Sequence, residues 1–289
     1  MSPVLKITTR NARFQQWHSL LVNRNKRQRL RAFVVQGVRP ITIALDQGWA
    51  VEAVLFDADR HLSEWARNVL KMAGGERFAV SRELLAELGE KADDAPELLA
   101  ICTLPDDDLG RIAVAHDFLG VVFDRPTSPG NLGSVIRSAD SFGAAGVIVT
   151  GHAADPYDSS AVRASTGSLF AVPTVRVSSP RNVRDWVEYH RAAGLPIQIL
   201  GTDEKGEADI YDVDLTLPTL LVVGNETTGL STAWRDGVDR LIRIPMTGSA
   251  SSLNAANAAS IVLYEAMRQR LHKPVGRLPE LTERHAVTR

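Results

Sequence analysis

Several features that define common classes of protein are scarce in this sequence. Its 289 residues include one cysteine, Cys102, so no intramolecular disulfide can form, which fits a reducing compartment. No apolar run is long enough to span a membrane, and the N-terminus lacks the apolar core of a signal peptide, so a cytoplasmic protein without membrane association is expected. The net charge of −1 gives no overall sign of a nucleic-acid-binding protein.

The usual signatures of cofactor and metal sites are also missing. There is no Walker lysine motif, the spacing in PGNLGS differs from a dinucleotide fingerprint, and no Gly-x-Ser-x-Gly elbow follows a strand. Seven histidines are scattered without paired spacing, so no metal site is expected. They are His18, His61, His116, His152, His190, His272 and His285.

The near-neutral net charge hides a strong asymmetry at the N-terminus. Residues 1–40 contain nine basic residues and no acidic one, and the first acidic residue is Asp46. Within residues 10–31 apolar side chains recur at helical spacing between cations, which predicts a basic helix. The cations predicted to contact RNA phosphates are Arg10, Arg13, Arg24, Lys26, Arg27 and Arg29. A solvated charged face is the alternative, and charge alone does not separate the two.

The order of apolar and helical stretches predicts two α/β domains. From residue 33 to about 101 short apolar runs alternate with helical stretches, as in a small α/β sandwich. The acidic segment LPDDDLGRIAVAHD lacks sustained periodicity and is typical of an interdomain linker. We therefore expect an RNA-binding domain over residues 1–105, a linker over 106–117 and a second domain over 118–289.

The second half has the alternating pattern of a mostly parallel sheet. Buried strands are predicted at 118–124, 146–150, 173–177, 196–202, 219–224 and 241–244. Helices are predicted at 134–142, 158–170 and 181–193, and a last one begins near Ser252 or Asn254. Pro129 and the glycines around it are expected to delay the first of these helices until about Ser134. In such a fold the ligand lies at the carboxyl ends of the strands.

Three loops at that predicted edge combine glycine with polar side chains. They are PGNLGSVIRSAD, NETTGLS and MTGSASSLNAAN. On spacing alone Asn131 could be a turn residue and Asn254 an N-cap, while Arg137 and Glu226 could form a structural ion pair. The last loop and the alanine-rich helix after it could equally belong to an ordinary α/β core.

Taken together, the three loops resemble a known family. GNLGSVIRSADSFGA, VVGNETTGLS and IPMTGSASSLNAANAASIVLYE are similar, in order and spacing, to the three motifs of the SPOUT-class RNA 2′-O-ribose methyltransferases. The resemblance covers about residues 118–270 and implies a carboxyl-terminal trefoil knot. The N-terminal half resembles the ribosomal-protein-like RNA-binding domain of many members. RNARFQQWHSLL, FDRPTSPGN, RASTGSLF and SASSLNAANA are closest to members that methylate 23S rRNA and confer antibiotic resistance.

The resemblance implies roles for particular residues. The implied catalytic residues are Asn131, Arg137, Glu226 and Asn254. The residues implied to hold S-adenosylmethionine, largely through backbone groups, are Thr202, Gly224, Ile244, Ser252 and Leu253. Arg137 would stabilise the developing alkoxide and grip the adjoining phosphate, with Asn131 and Glu226 bracing its guanidinium. Relatives often carry a charged residue where this chain has Ala250 or Ser251, so no acid–base role is assigned in that loop.

The expected activity is S-adenosylmethionine-dependent methylation of a ribose 2′-hydroxyl in 23S rRNA, with a role in resistance to a ribosome-targeting antibiotic as one possibility. The family also implies a homodimer through the knotted domains, in which Arg137 of one subunit serves the partner's cofactor. Two alternatives stay open: methylation of tRNA ribose, and a non-catalytic RNA-binding role in ribosome assembly. The alanine face of the last helix could pack on its own sheet or on a dimer partner.

Overall fold

The computed structural model describes residues 4–90 and 95–271, and the first half of the chain forms a five-stranded mixed sheet. Its strands are β1 (Val4–Ile7), β2 (Ala32–Gln36), β3 (Val51–Asp57), β4 (Glu76–Val80) and β5 (Leu98–Thr103), in the order β1-β4-β3-β5-β2. Strand β5 runs antiparallel to both of its neighbours. The helices are α1 (Ala12–Val22), α2 (Arg24–Leu30), α3 (Val38–Asp46), α4 (Glu64–Met72) and α5 (Arg82–Leu88).

The basic N-terminal segment forms two helices, so the prediction of one continuous helix is wrong. Asn23 separates α1 from α2 in an extended conformation, and its side-chain oxygen accepts a hydrogen bond from the Lys26 amide at 3.1 Å. An asparagine in this position stabilises the start of a new helix. The apolar face of α1 is buried as predicted, with Trp17 packed edge-on against Phe78 of β4.

The second half forms a seven-stranded sheet in which every pairing is parallel. Its strands are β6 (Leu119–Asp124), β7 (Gly146–Thr150), β8 (Thr174–Val177), β9 (Gln198–Thr202), β10 (Ala208–Asp209), β11 (Thr219–Val223) and β12 (Arg240–Arg243). The order is β10-β12-β9-β11-β6-β7-β8. The helices are α6 (Pro129–Ser141), α7 (Ser159–Ser165), α8 (Ser168–Ala171), α9 (Pro180–Ala192), α10 (Thr232–Arg235) and α11 (Ala255–Leu271).

Two predicted helices of this domain have different bounds in the structure. Helix α6 begins at Pro129 rather than near Ser134, because a proline in the first turn loses no helical hydrogen bond and Ser128 caps the Asn131 amide. The predicted helix 158–170 is split into α7 and α8, because Thr166 and Gly167 adopt positive φ angles of 50° and 102°.

The two sheets are joined by a shared hydrophobic core. Phe33 of β2 and Trp49 pack against Tyr157 and Phe170 of the second domain, with ring centroids 4.9 to 6.1 Å apart. The Trp49 indole also donates to the Phe170 carbonyl at 3.0 Å. In the sequence, the strands of one sheet precede the predicted linker 106–117 and those of the other follow it. The domain boundaries stay a prediction, because one hydrophobic core includes residues from both sides of the linker.

Within the described ranges, none of the helices combines the length and the apolar character needed to cross a bilayer.

Candidate active site

The three motif loops meet at one edge of the parallel sheet. Strands β6, β11, β9 and β12 are neighbours in register, so the segments that follow their carboxyl ends lie side by side. The first loop leads from β6 into α6, the second follows β11, and the third leads from β12 into α11. This arrangement brings together residues more than 90 positions apart in sequence.

Hydrogen bonds between three predicted site residues link these loops directly. The Asn131 amide nitrogen donates to Oε1 of Glu226 at 3.1 Å, and the Asn131 oxygen accepts from the Asn254 amide at 3.2 Å. The Asn254 oxygen accepts from the backbone amides of Ala256 and Asn257 at 2.9 and 3.3 Å, so it also caps α11. Asn254 therefore caps α11 and also contacts Asn131, while its catalytic role stays a prediction.

Glu226 is held as a carboxylate by a dense set of donors. Its Oε2 accepts from the amide and the hydroxyl of Thr127 at 2.9 and 3.0 Å, and its Oε1 accepts from the Ser128 amide at 3.1 Å. Partial burial raises the pKa of Glu226, but hydrogen bonds from backbone amides and from Asn131 outweigh burial and leave the pKa below its ordinary value. The side chain is therefore a fixed anion that ties the second loop to the first.

A buried polar group beneath the site was not anticipated from the sequence. Asp124, at the end of β6, accepts hydrogen bonds from the Thr150 hydroxyl at 3.0 Å and the Ser231 amide at 2.9 Å. Arg125 donates to the Gly229 carbonyl at 3.0 Å, and the Arg125 carbonyl accepts from the side chain of Asn225 at 2.7 Å. In the sequence, the one sign of this buried group is an aspartate at the end of an apolar strand.

A cleft of about 370 Å³ opens beside these loops, and all five residues predicted to hold S-adenosylmethionine line it. They are Thr202, Gly224, Ile244, Ser252 and Leu253. Three carboxylates (Asp203, Glu204 and Glu226) and two cations (Lys205 and Arg235) also line the cleft, so the formal charge of its walls is 2 − 3 = −1.

These features fit S-adenosylmethionine. Ile244, Met246 and Leu253 supply apolar surface for an adenine ring, and an excess of one negative charge suits a ligand with a sulfonium and an ammonium group against one carboxylate. At Gly224 a Cβ would lie 2.4 Å from the backbone of Gly229, so the tight turn that closes this wall needs a glycine there.

Arg137 stands apart from the other predicted site residues. It lies on the exposed side of α6, does not line the cleft, and has no side-chain hydrogen bond or ion pair to any residue in 4–90 or 95–271. The predicted brace by Asn131 and Glu226 is absent from this chain, because both side chains bond to other partners. The structural ion pair between Arg137 and Glu226 is absent for the same reason.

Most of the cations predicted to contact RNA are engaged within the protein. Arg10 pairs with Glu87 at 2.7 Å, Arg13 pairs with Glu76 at 3.2 Å, and Arg24 donates to the Ala153 carbonyl at 2.7 Å. The prediction that Arg27 contacts RNA is wrong. Its side chain is 2% exposed and pairs with Asp155 at 2.8 Å, so it does not face solvent. Lys26 and Arg29 form no ion pair within the described part of the chain.

No group of three histidine, cysteine, aspartate or glutamate side chains is placed to hold a metal ion among the residues that the structure describes.

Fold and site together define a two-domain α/β protein with a ligand cleft at the edge of its parallel sheet. Residues 11–100 match the SpoU L30e-like domain, and residues 119–264 match the SpoU rRNA Methylase family. The chain belongs to the SpoU rRNA methylase family. This membership confirms the predicted resemblance and the predicted two-domain α/β fold.

Several known proteins are similar to this chain over nearly its whole length. The 23S rRNA (uridine(2479)-2′-O)-methyltransferase of Streptomyces viridochromogenes is 60% identical over 92% of this chain and 93% of its own length. The crystal structure of the SpoU methyltransferase AviRb from that organism, in complex with AdoMet, superposes with a TM-score of 0.88, covering 91% of this chain and 99% of the other. An AdoMet-bound rRNA methyltransferase from Sinorhizobium meliloti is 30% identical, with a TM-score of 0.80 and coverage of 92% and 98%.

Proposed function

We propose that this chain transfers a methyl group from S-adenosylmethionine to a ribose 2′-hydroxyl in 23S rRNA. The observation that carries the proposal is the hydrogen-bonded series Glu226–Asn131–Asn254, which joins three loops beside a cleft whose apolar lining and charge suit the cofactor. The relative that is 60% identical is a 23S rRNA 2′-O-methyltransferase, which supports the substrate class.

The cofactor supplies a methyl group already activated by the positive sulfur that carries it. Residues Thr202, Gly224, Ile244, Ser252 and Leu253 would hold it in the cleft. What the protein must add is alignment of the ribose hydroxyl and help in the loss of its proton.

Glu226 is a poor candidate for the base that takes this proton. Both of its oxygens already accept hydrogen bonds, and its pKa is below the ordinary value, so it has little affinity for a proton. Its role is to hold Asn131 and the turn at Thr127 and Ser128 in place. Arg137, with an exposed guanidinium, stabilises the developing alkoxide and grips the adjoining phosphate, and the hydroxyl proton passes to solvent water as the methyl group is transferred.

Because Arg137 lies outside the cleft of its own chain, we place it in the site of a second subunit. Helices α6 and α11 lie side by side, joined by the hydroxyls of Ser138 and Ser260 at 2.7 Å, and Ile261 and Tyr264 of α11 are 37% and 51% exposed. A homodimer through this surface of two knotted domains would cover these apolar side chains and carry Arg137 towards the partner's cleft.

Mixing inactive subunits tests the shared site. Arg137→Ala and Asn254→Ala proteins, each inactive alone, should regain activity when unfolded together and refolded, because half of the mixed dimers' sites contain neither substitution. Activity that never returns, although mass spectrometry shows mixed dimers, would place Arg137 in the site of its own chain.

The activity itself is tested with methyl-labelled S-adenosylmethionine and separate preparations of 23S rRNA, 16S rRNA and tRNA. We expect label in 23S rRNA and a single position resistant to alkaline cleavage, because a 2′-O-methyl group removes the internal nucleophile. Label in tRNA alone would establish the tRNA alternative, and cofactor binding without transfer to any RNA would favour a non-catalytic role.

A ribosomal substrate also implies action in the cytoplasm. Growth of cells expressing the protein on antibiotics that target the large subunit would test a resistance role.

A further inference from the structure

A buried ion-pair cluster joins the N-terminal domain to the methyltransferase domain. The Arg27 guanidinium donates to Asp155 at 2.8 Å, to Asp158 at 3.4 Å, and to the carbonyls of Leu20 and Leu21 at 2.7 and 3.0 Å. Arg27 thus links the end of α1 to two carboxylates on the segment that leads into α7. Because both Arg27 and Asp155 are almost wholly buried, the pair is costly to break: removal of one partner leaves an uncompensated charge.

Further contacts reinforce the cluster from the methyltransferase side. Arg176 of β8 donates to Gln28 of α2 at 2.8 Å and lies 3.7 Å from Asp155. Asp158 also caps α7, accepting from the Ser160 amide at 3.0 Å. The position of α7 is therefore set partly by residues of the N-terminal domain.

Helix α7 packs in turn against α6, which carries Asn131 and Arg137. The contact is close enough that a Cβ on Gly133 would lie 2.4 Å from the Ala161 carbonyl. The next helix, α8, also contacts both α6 and the N-terminal domain. The Ser168 hydroxyl donates to Asp140 of α6 at 2.6 Å, and Gly167, just before α8, lies against Ile43 of α3. Helices α7 and α8 thus lie between the N-terminal domain and the helix that carries two proposed catalytic residues.

We propose that Arg27 is a positioning residue, which holds α6 and its Asn131 and Arg137 in working geometry through Asp155, Asp158 and α7. The catalytic part of this inference rests on the proposed methyl transfer. Arg27 and the neighbouring Arg29 therefore have different roles, because the exposed side chain of Arg29 suits an RNA phosphate. A phosphate contact would affect RNA affinity, whereas a positioning contact affects the rate once RNA is bound.

The kinetic test uses Asp158→Asn and Arg27→Lys in the full-length protein. Asparagine can still cap α7 but loses the charge that faces Arg27, while lysine keeps the charge but cannot reach both carboxylates and two carbonyls together. We expect kcat to fall by about tenfold or more in each variant, with KM for RNA changed by less than about twofold, since small misplacements of catalytic groups cost this much. Arg181→Met, which removes a cation from an exposed pair on α9, should leave both constants unchanged.

A second measurement does not depend on methyl transfer. Hydrogen–deuterium exchange of the α6 peptide, residues 129–141, should become faster in Asp158→Asn and Arg27→Lys but stay unchanged in Arg181→Met. Unchanged α6 exchange in both variants would overturn the proposal, as would a raised KM with a normal kcat. If the wild-type protein transfers no methyl group, the proposed function fails while the exchange data still decide whether Arg27 positions α6.

Discussion

The side-chain amide of Asn131 donates a hydrogen bond to the carboxylate of Glu226 over 3.1 Å, across a sequence separation of 95 residues. The bond joins the first turn of α6, which follows β6, to the loop after β11, and β6 and β11 are neighbouring parallel strands. The other end of the same amide accepts from Asn254, so one residue orients side chains from all three motif loops. Asn131 is therefore the central polar contact of the site, while Arg137 reaches outwards from the same helix.

Replacement of Asn131 by aspartate should disable the site more strongly than replacement by alanine. Aspartate places a second carboxylate against Glu226, and like charges at about 3 Å repel strongly in a partly buried site. We expect kcat/KM to fall by roughly a hundredfold for Asn131→Asp and about tenfold for Asn131→Ala. Steady-state methyl transfer measures both, with Asp185→Asn on the exposed face of α9 as the control. Equal losses in the two variants would contradict the charge argument.

The lowered pKa of Glu226 predicts a pH-dependent contribution to stability. Since the folded protein favours the ionised form, this contribution is complete above the ordinary glutamate pKa of 4.5 and is lost as the pH falls through the lower, folded-state value. Glu226→Gln should reduce the free energy of unfolding at pH 7 by about 1–3 kcal/mol, as expected when hydrogen bonds to a charged group are lost. The difference from wild type should shrink at pH 3.

Urea unfolding at both pH values measures this difference. Glu188→Gln, which removes an exposed carboxylate of α9, is the control and should change stability by less than about 0.5 kcal/mol. A Glu226→Gln difference of the same size at pH 3 and pH 7 would show that ionisation of Glu226 is not its source.

Two glycines of α6 should respond oppositely to alanine. A Cβ at Gly133 would lie 2.4 Å from the Ala161 carbonyl and 2.7 Å from the Ala164 Cβ, so Gly133→Ala must push α7 away. We expect a loss of about 1–3 kcal/mol in the free energy of unfolding. At Gly130 the nearest atom would be the Ser128 hydroxyl at 3.7 Å, so Gly130→Ala should be neutral or stabilising by up to about 1 kcal/mol. The midpoints of denaturant unfolding measure the stability of both variants, and equal changes in stability would refute the packing argument.

The sequence could predict the parts of the fold that depend on local pattern. The apolar run at 146–150 is a buried strand with the predicted ends, and the convergence of three loops follows from parallel strands that share one carboxyl edge. Features that depend on distant partners could not be predicted. Arg27 resembles its basic neighbours in sequence, and only the fold brings Asp155 to it from 128 residues away. The start of α6 was missed because Pro129 breaks a helix interior but is tolerated in a first turn.

The exposed cation Arg29 should contribute to RNA affinity, whereas Arg13 should contribute less. Arg29 forms no ion pair within the described ranges, while Arg13 pairs with Glu76 at 3.2 Å and lies over the ring of Phe78. Arg29→Gln should raise KM for RNA and reduce the slope of log affinity against log salt concentration by about 1, because one fewer phosphate is neutralised. Arg13→Gln should change the slope less, since Glu76 already offsets that charge. Filter binding or fluorescence anisotropy over a range of salt concentrations measures the slope. An unchanged slope for Arg29→Gln, together with a reduced one for Arg13→Gln, would move the RNA-contacting surface from α2 to α1.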